Sequence, residues 1–198
     1  MFFWFKRLFD FVLSFFFLII TFPLIVIFSL LIFLLDRNNP FFIQKRSGLK
    51  GKQIKIFKLQ TMKTVDGIKI ITNLGKFLRT SKIDELPQLI NVLKNDMSLI
   101  GPRPLYLEFN NFYKNKHKLR IAIKPGLTGL AQVKVKDSTD WQKKFNFDVI
   151  YQKRANLNLE CYIIFKTFLI IFNSIFFKEK RAVETIDYKD NFFNNYNK

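Results

Sequence analysis

Apolar positions without a single charge fill residues 11–35, FVLSFFFLIITFPLIVIFSLLIFLL. As a helix this run extends about 37 Å, more than the roughly 30 Å hydrocarbon core of a bilayer. It is too long for the apolar part of a secretory signal, and no small-residue cleavage site follows it. Two membrane topologies fit: a straight span, and a helix that enters, bends and returns to the same face. Pro23 lies mid-run, where it removes a helix hydrogen bond, and Thr21 stands ready to re-satisfy a freed backbone group. Lys6 and Arg7 precede the run, and residues 37–65 hold eight Lys/Arg and no acid. Basic flanks on both sides suit two cytoplasmic ends better than a simple span.

Downstream the pattern changes. Residues 41–64 read as short extended pieces, with QIKIFKLQTM partly alternating and a turn near Gly48 and Gly51. Residues 74–95 read as helical: apolar positions 83, 86, 89, 90 and 93 are spaced for one helix face, Pro87 sits early, and the break comes at Asn95–Asp96. SLIGPRPL is a loop, since Gly-Pro and Arg-Pro both disfavour helix. Residues 105–121 are expected to form a polar surface helix, 124–133 a second glycine-containing loop, and 139–152 a helix. The second apolar run, 161–177, contains Lys166 and Asn173 and suits an interfacial helix in the head-group plane. Residues 184–198 read as a polar, frayed tail. The expected class is therefore mainly α with a small β element (α+β). Its parts are a membrane element at 1–38, a membrane-surface domain at 39–183, and the tail.

Composition narrows the partners. The chain has 198 residues and a formal net charge of +18. Such an excess points to a polyanion: anionic lipid, nucleic acid or a phosphorylated substrate. A hydrophobic fraction of 49 % favours a membrane surface over nucleic acid, and no nucleic-acid module is recognisable. Abundant Phe, Ile, Lys and Asn also fit a biased base composition of the source genome, which discounts the charge. The single cysteine, Cys161, excludes an internal disulfide framework and is expected to pack. Zinc-ligand spacing, a Walker A loop and GxGxxG are all absent. The sole histidine, His117, lies in the Lys/Asn-rich surface helix and is not expected to be catalytic.

In this acid-poor chain the adjacent Asp84 and Glu85 stand out. One reading has Asp84 capping a helix and Glu85 complementing its dipole. The other puts a carboxylate, its pKa lowered beside Arg79 and Lys82, where it attacks phosphorus to give an acyl phosphate while its neighbour holds Mg²⁺. Arg103 is fixed between two prolines, a preorganised phosphate contact, and KPGLTGLAQV exposes backbone amides near Lys124. Either loop is equally readable as an ordinary tight connection.

The ordered set KRLFD, the apolar run with a central proline, QKRSG, IFKLQTM, LRTSKIDELPQLINVLKNDMSLIGPRP, KPGLTGLAQV and WQKKFNFDVIY covers about residues 5–180. It resembles the bacterial sugar transferases, in particular the small monotopic phosphoglycosyl transferases. The resemblance implies a re-entrant helix at 1–38 broken at Pro23, with interfacial amphipathic helices on the cytoplasmic face of the bacterial inner membrane. It implies transfer of a sugar 1-phosphate from a UDP-sugar to undecaprenyl phosphate, releasing UMP. The product would open a surface-glycan pathway, with downstream glycosyltransferases as partners. Asp84 would carry the covalent phosphosugar, with Glu85 assisting. Lys58, Arg79, Arg103, Lys124 and Gln132 would bind phosphates, and Asp84, Glu85 and Asp148 would hold Mg²⁺. The alternative is a degenerate relative that only binds at the membrane surface. The chain departs from the family pattern at Phe22, Gln60, Lys124, Leu130 and Lys134–Val135–Lys136.

Overall fold

The computed structural model describes residues 2–135 and 140–177. Lys136, the KEKR segment and the tail lie outside the described residues. Among the described residues the chain is mainly helical, with three two-stranded ribbons. It divides into two compact units: Met1–Arg46 with Ile54–Leu99, and Ser47–Gln53 with the chain from Ile100 onward. The apolar helix thus belongs to the same unit as the Asp84–Glu85 segment.

In the first unit, helix α1 (Phe2–Leu31) continues into one wide turn, Ile32–Asp36, and ends at Arg37 in the left-handed region (φ 49°). Helical pairing runs uninterrupted through Pro23. Thr21 does not fill the gap that proline leaves: its hydroxyl donates to Phe17 O at 2.7 Å, whereas Pro23 frees the carbonyl of Ile19. One stripe of α1 meets protein, most fully toward its two ends. Lys6, Asp10 and Ser14 are buried at a spacing of four, followed by Ile25 and Ile32. The C-terminal half of the stripe joins a core with Leu59 and Leu78, against which Leu18 and Phe28 also pack. The remaining faces expose Phe, Leu, Ile and Val almost continuously.

Both ends of α1 are bonded within this unit. Asp10 accepts from Ser98 Oγ at 2.6 Å and pairs with Lys6 at 3.4 Å, and Arg7 donates to the carbonyls of Val92 and Leu93. At the other end Asp36 accepts from Thr72 Oγ1 at 2.9 Å. Asn38 Nδ2 donates to Met62 O at 3.2 Å.

The expected extended pieces are strands β1 (Phe41–Ser47), β2 (Gln53–Leu59) and β3 (Met62–Val65). A fourth, β4 (Ile68–Ile71), pairs antiparallel with β3 through an Asp66–Gly67 turn with φ of 50° and 78°. Positive φ at both central residues is the type I′ requirement, which Asp-Gly meets.

The stretch expected as one helix over 74–95 is three pieces: α2 (Asn73–Ser81), a 3-10 helix Ile83–Gln88, and α3 (Leu89–Leu93). Thr72 caps α2 by accepting from Gly75 N. Lys82, at φ 61°, ends α2 and turns the chain.

In the second unit, residues 105–121 are not one polar helix but two 3-10 turns, Leu107–Asn111 and Asn115–Ile121. Leu105, Phe109 and Tyr113, in and beside these turns, form a core with Trp141 and Phe145 of α5 (Trp141–Arg154), while Phe112 stays exposed. His117 is accordingly buried, not on the surface, edge-on to Phe145 and 3.1 Å from Asn146 Oδ1. Burial first of all holds its pKa below the ordinary range. The expected glycine loop holds β6 (Gly126–Thr128) and α4 (Leu130–Lys134). Helix α6 (Leu157–Phe176) begins earlier than its apolar run, is anchored by buried Glu160 and Ile163, and exposes Phe165, Phe168, Phe172 and Phe176. Glu160 hydrogen-bonds the Tyr151 hydroxyl. Cys161, expected to pack, is exposed. Among the described residues, α1 with its terminal turn and α6 are long and apolar enough to cross a membrane.

Candidate active site

The 3-10 segment Ile83–Gln88 presents its two carboxylates inward: Asp84 is 6 % exposed and Glu85 7 %. Asp84 does not cap a helix, since that position is taken by Lys82 and the segment is a 3-10 turn. Lys58, on β2, reaches Glu85 Oε1 at 3.0 Å. Asp84 Oδ1 is buried and meets no protein donor. A buried carboxylate oxygen left this way costs free energy unless a ligand or cation completes it.

Burial, and then the charge of Glu85, push Asp84 up from 3.8 to about 6, against the pull of Lys58, Lys82 and Arg79. The expected lowering of this carboxylate is therefore reversed. The basic neighbours are present, but desolvation outweighs them. Arg79 is itself positioned by Thr61, whose hydroxyl accepts from Nε at 2.9 Å.

Asn91, buried in α3, had no place among the expected site residues. Its Nδ2 donates to Lys55 O at 2.7 Å and its Oδ1 accepts from Phe57 N at 3.1 Å, pinning the part of β2 just before Lys58 to the α3 segment. An amide inside an apolar helix face, LINVL, was the available signal.

The first unit thus brings Lys58, Arg79, Asp84 and Glu85 together. The other expected residues, Arg103, Lys124, Gln132 and Asp148, lie in the second unit. There Gly101 N donates to Thr128 O and Gly126 N to Pro102 O, both at 2.9 Å. A Cβ on Gly126 would lie 2.0 Å from Gly101 N, so the Arg103 and Lys124 loops approach this closely only because glycine occupies that position. Gln132 Nε2 donates to Leu127 O within the same loop.

Asp148 is fully buried in an ion pair with Arg120 Nε at 2.9 Å. Burial raises its pKa and Arg120 opposes the rise. Arg120 also donates to Tyr113 Oη at 2.7 Å and to Arg103 O at 2.8 Å, and lies over the rings of Tyr113 and Phe145. It is a second residue absent from the expected site.

No group of three or more His, Cys, Asp or Glu side chains is placed to hold a metal among the described residues. Asp84 and Glu85 still supply hard oxygen donors, one of them unsatisfied. That set fits Mg²⁺, which commonly takes one or two carboxylates and completes its shell with water and substrate phosphates.

Residues 1–174 match the family described as bacterial sugar transferase. The chain is 39 % identical over 167 residues to EpsL of Bacillus subtilis, named as an uncharacterized sugar transferase, with 80 % of this chain and 83 % of that protein aligned. It is 35 % identical over 181 residues to the UDP-glucose:undecaprenyl-phosphate glucose-1-phosphate transferase of Klebsiella pneumoniae, covering 82 % of this chain but 39 % of that longer protein. It is 42 % identical over 101 residues to the undecaprenyl-phosphate galactose phosphotransferase of Salmonella typhimurium, covering 51 % of this chain and 21 % of that one. On the extent of the family match, this chain belongs to the bacterial sugar transferase family.

Proposed function

We propose that the protein transfers a sugar 1-phosphate from a UDP-sugar to undecaprenyl phosphate at the cytoplasmic face of the bacterial inner membrane. One observation carries this reading: the unsatisfied Asp84 oxygen beside a Glu85 already held by Lys58. The names of the Klebsiella and Salmonella relatives supply the substrate class.

In the first step an Asp84 carboxylate oxygen attacks the sugar-bearing phosphorus of the UDP-sugar. The bond from that phosphorus to the bridging oxygen breaks, and UMP leaves with the electron pair. An acyl phosphate joins the sugar phosphate to Asp84. In the second step a phosphate oxygen of undecaprenyl phosphate attacks the same phosphorus. The acyl bond breaks, the Asp84 carboxylate returns, and undecaprenyl-diphospho-sugar is released. Lys58 fixes Glu85 beside Asp84, while Arg79 and Lys58 balance the phosphate charge. Mg²⁺ held by Asp84 and Glu85 would neutralise phosphate oxygens and stabilise the departing UMP. Asp148, expected as a third ligand, is committed to Arg120.

The membrane reading rests on α1. The residues of α1 that protein buries lie in its first turns, at Lys6, Asp10 and Ser14, and toward its end, at Ile25 and Ile32. Both of its ends bond the same unit, at Asp10–Ser98 and Asp36–Thr72. This supports a helix whose two ends share one face. A cysteine at position 3 is then unreactive to a membrane-impermeant thiol reagent in the periplasm; labelling there would mean a span.

The reaction is tested by incubating the purified protein with undecaprenyl phosphate, Mg²⁺ and a panel of UDP-sugars. UMP release with one or more donors, dependent on the lipid phosphate, is expected. No release with any donor would favour a degenerate, binding-only relative.

A further inference from the structure

Among the described residues, the β3–β4 hairpin leaves an apolar face exposed. Its register pairs Val65 with Ile68 and Lys63 with Ile70, so these four side chains share one face. Thr64, Lys69, Met62 and Ile71 share the other. Val65, Ile68 and Ile70 are all exposed, Ile68 by 67 %. An isolated two-stranded hairpin is marginal in water, and three aliphatic side chains gathered on one bare face are a surface awaiting a cover.

The hairpin's position says what covers it. Its base is tied to the exit of α1: Asn38 Nδ2 donates to Met62 O, and Thr72, one residue past β4, donates to Asp36. The turn at that exit exposes Phe33, Leu34 and Leu35, and the following strand exposes Phe41 and Ile43. On α2, exposed Phe77 packs on Phe28 of α1 with ring centres 5.8 Å apart, so the apolar surface extends from α1 to α2. The base of the hairpin therefore lies beside the end of α1, whose exposed apolar side is the one read above as facing lipid.

We infer that the β3–β4 hairpin is a membrane contact that lies flat on the lipid surface, with Val65, Ile68 and Ile70 in the acyl boundary and Lys63 at the phosphates of anionic lipid. The polar tip, Asp66–Gly67, excludes a plunging insertion, because it would carry an acid into hydrocarbon. Lying flat keeps Asp66 at water depth and lets Lys63 lay its stem on the apolar face with its ammonium among head groups. The inference rests on the membrane reading of α1 and adds a second attachment to it.

The full-length protein, with Cys161→Ser, is reconstituted in nanodiscs containing phosphatidylglycerol. A bimane label is placed by Ile68→Cys, by Lys69→Cys on the opposite face, and by Phe16→Cys on the lipid side of α1. Nitroxide attached high on the lipid acyl chain should quench the Ile68 label at least about twofold more than the Lys69 label, with aqueous iodide showing the reverse order. Equal lipid quenching at 68 and 69, with Phe16 quenched, overturns the hairpin contact and leaves the α1 reading intact. Absence of lipid quenching at Phe16 overturns both. Disulfide cross-linking between Ile68→Cys copies without lipid quenching would assign the face to a second copy of the chain instead.

Discussion

Lys58 Nζ stands 3.0 Å from Glu85 Oε1, and Asp84, the next residue back along the chain, has a buried oxygen with no protein donor. The lysine thus fixes one carboxylate of the pair and leaves the other to chemistry. Lys58→Met should lower kcat on the order of 100-fold by releasing Glu85 and misaligning the pair. Steady-state kinetics at saturating UDP-sugar measures it; a change confined to KM would assign Lys58 to donor binding alone.

The activity should fall on the acid side as Asp84 takes up a proton, with the limb near its raised pKa of about 6. Lys58 is the first of the cations that lower this value, so its removal should move the limb to higher pH. The pH dependence of kcat/KM for UMP release in both proteins tests this. An unshifted limb in Lys58→Met would mean that another group titrates.

The same carboxylate should weaken the fold. Its pKa is raised from 3.8 to about 6 by burial and Glu85, so the native protein binds the proton more tightly than the unfolded chain. The penalty is absent below the unfolded value and complete above the folded one. Asp84→Asn should therefore stabilise the protein by on the order of 2–3 kcal/mol at pH 8, and the gain should vanish as pH falls toward 4. Thermal unfolding of both proteins across that range measures it. A gain independent of pH would trace to packing rather than charge.

Much of this was legible in the chain. The long apolar helix followed from residues 11–35, and the candidate site segment from DELPQL, where paired acids stand out against a basic background. What the pattern hid has physical causes. Asp10 drew no reading of its own in the sequence, yet it is buried against Ser98, because the protein-facing stripe of α1 is polar in its first half. The helix over 74–95 broke at Lys82, a residue whose left-handed φ no periodicity reveals. The β3–β4 hairpin was missed although Asp66–Gly67 is a strong turn signal, since the apolar spacing around it is short. His117 seemed exposed among lysines, because 3-10 turns do not obey the 3.6-residue period used to judge its face. The pKa of Asp84 was expected to fall because charge can be read from sequence, whereas desolvation needs the fold.

Arg120 ties the Arg103 loop, Tyr113 and Asp148 into one buried group. Arg120→Met leaves the Asp148 charge buried and unpaired, and should cost about 3–5 kcal/mol. Adding Asp148→Leu should recover a substantial part of that loss by removing the orphaned charge. Denaturant or thermal unfolding of the single and double variants tests the pair. Equal stability of the two variants would contradict a buried charge as the cause.

The central claim is that Asp84 becomes covalently attached to the sugar phosphate. It is tested by incubating the protein with a UDP-sugar labelled with ³²P at the sugar-bearing phosphate, without lipid acceptor, then quenching and mapping the peptides. The label should appear on the peptide containing Asp84, vanish on addition of undecaprenyl phosphate, and be absent in Asp84→Asn, which should also fail to release UMP. Near-normal turnover by Asp84→Asn, or turnover by the wild-type protein with no trapped label, would contradict the account.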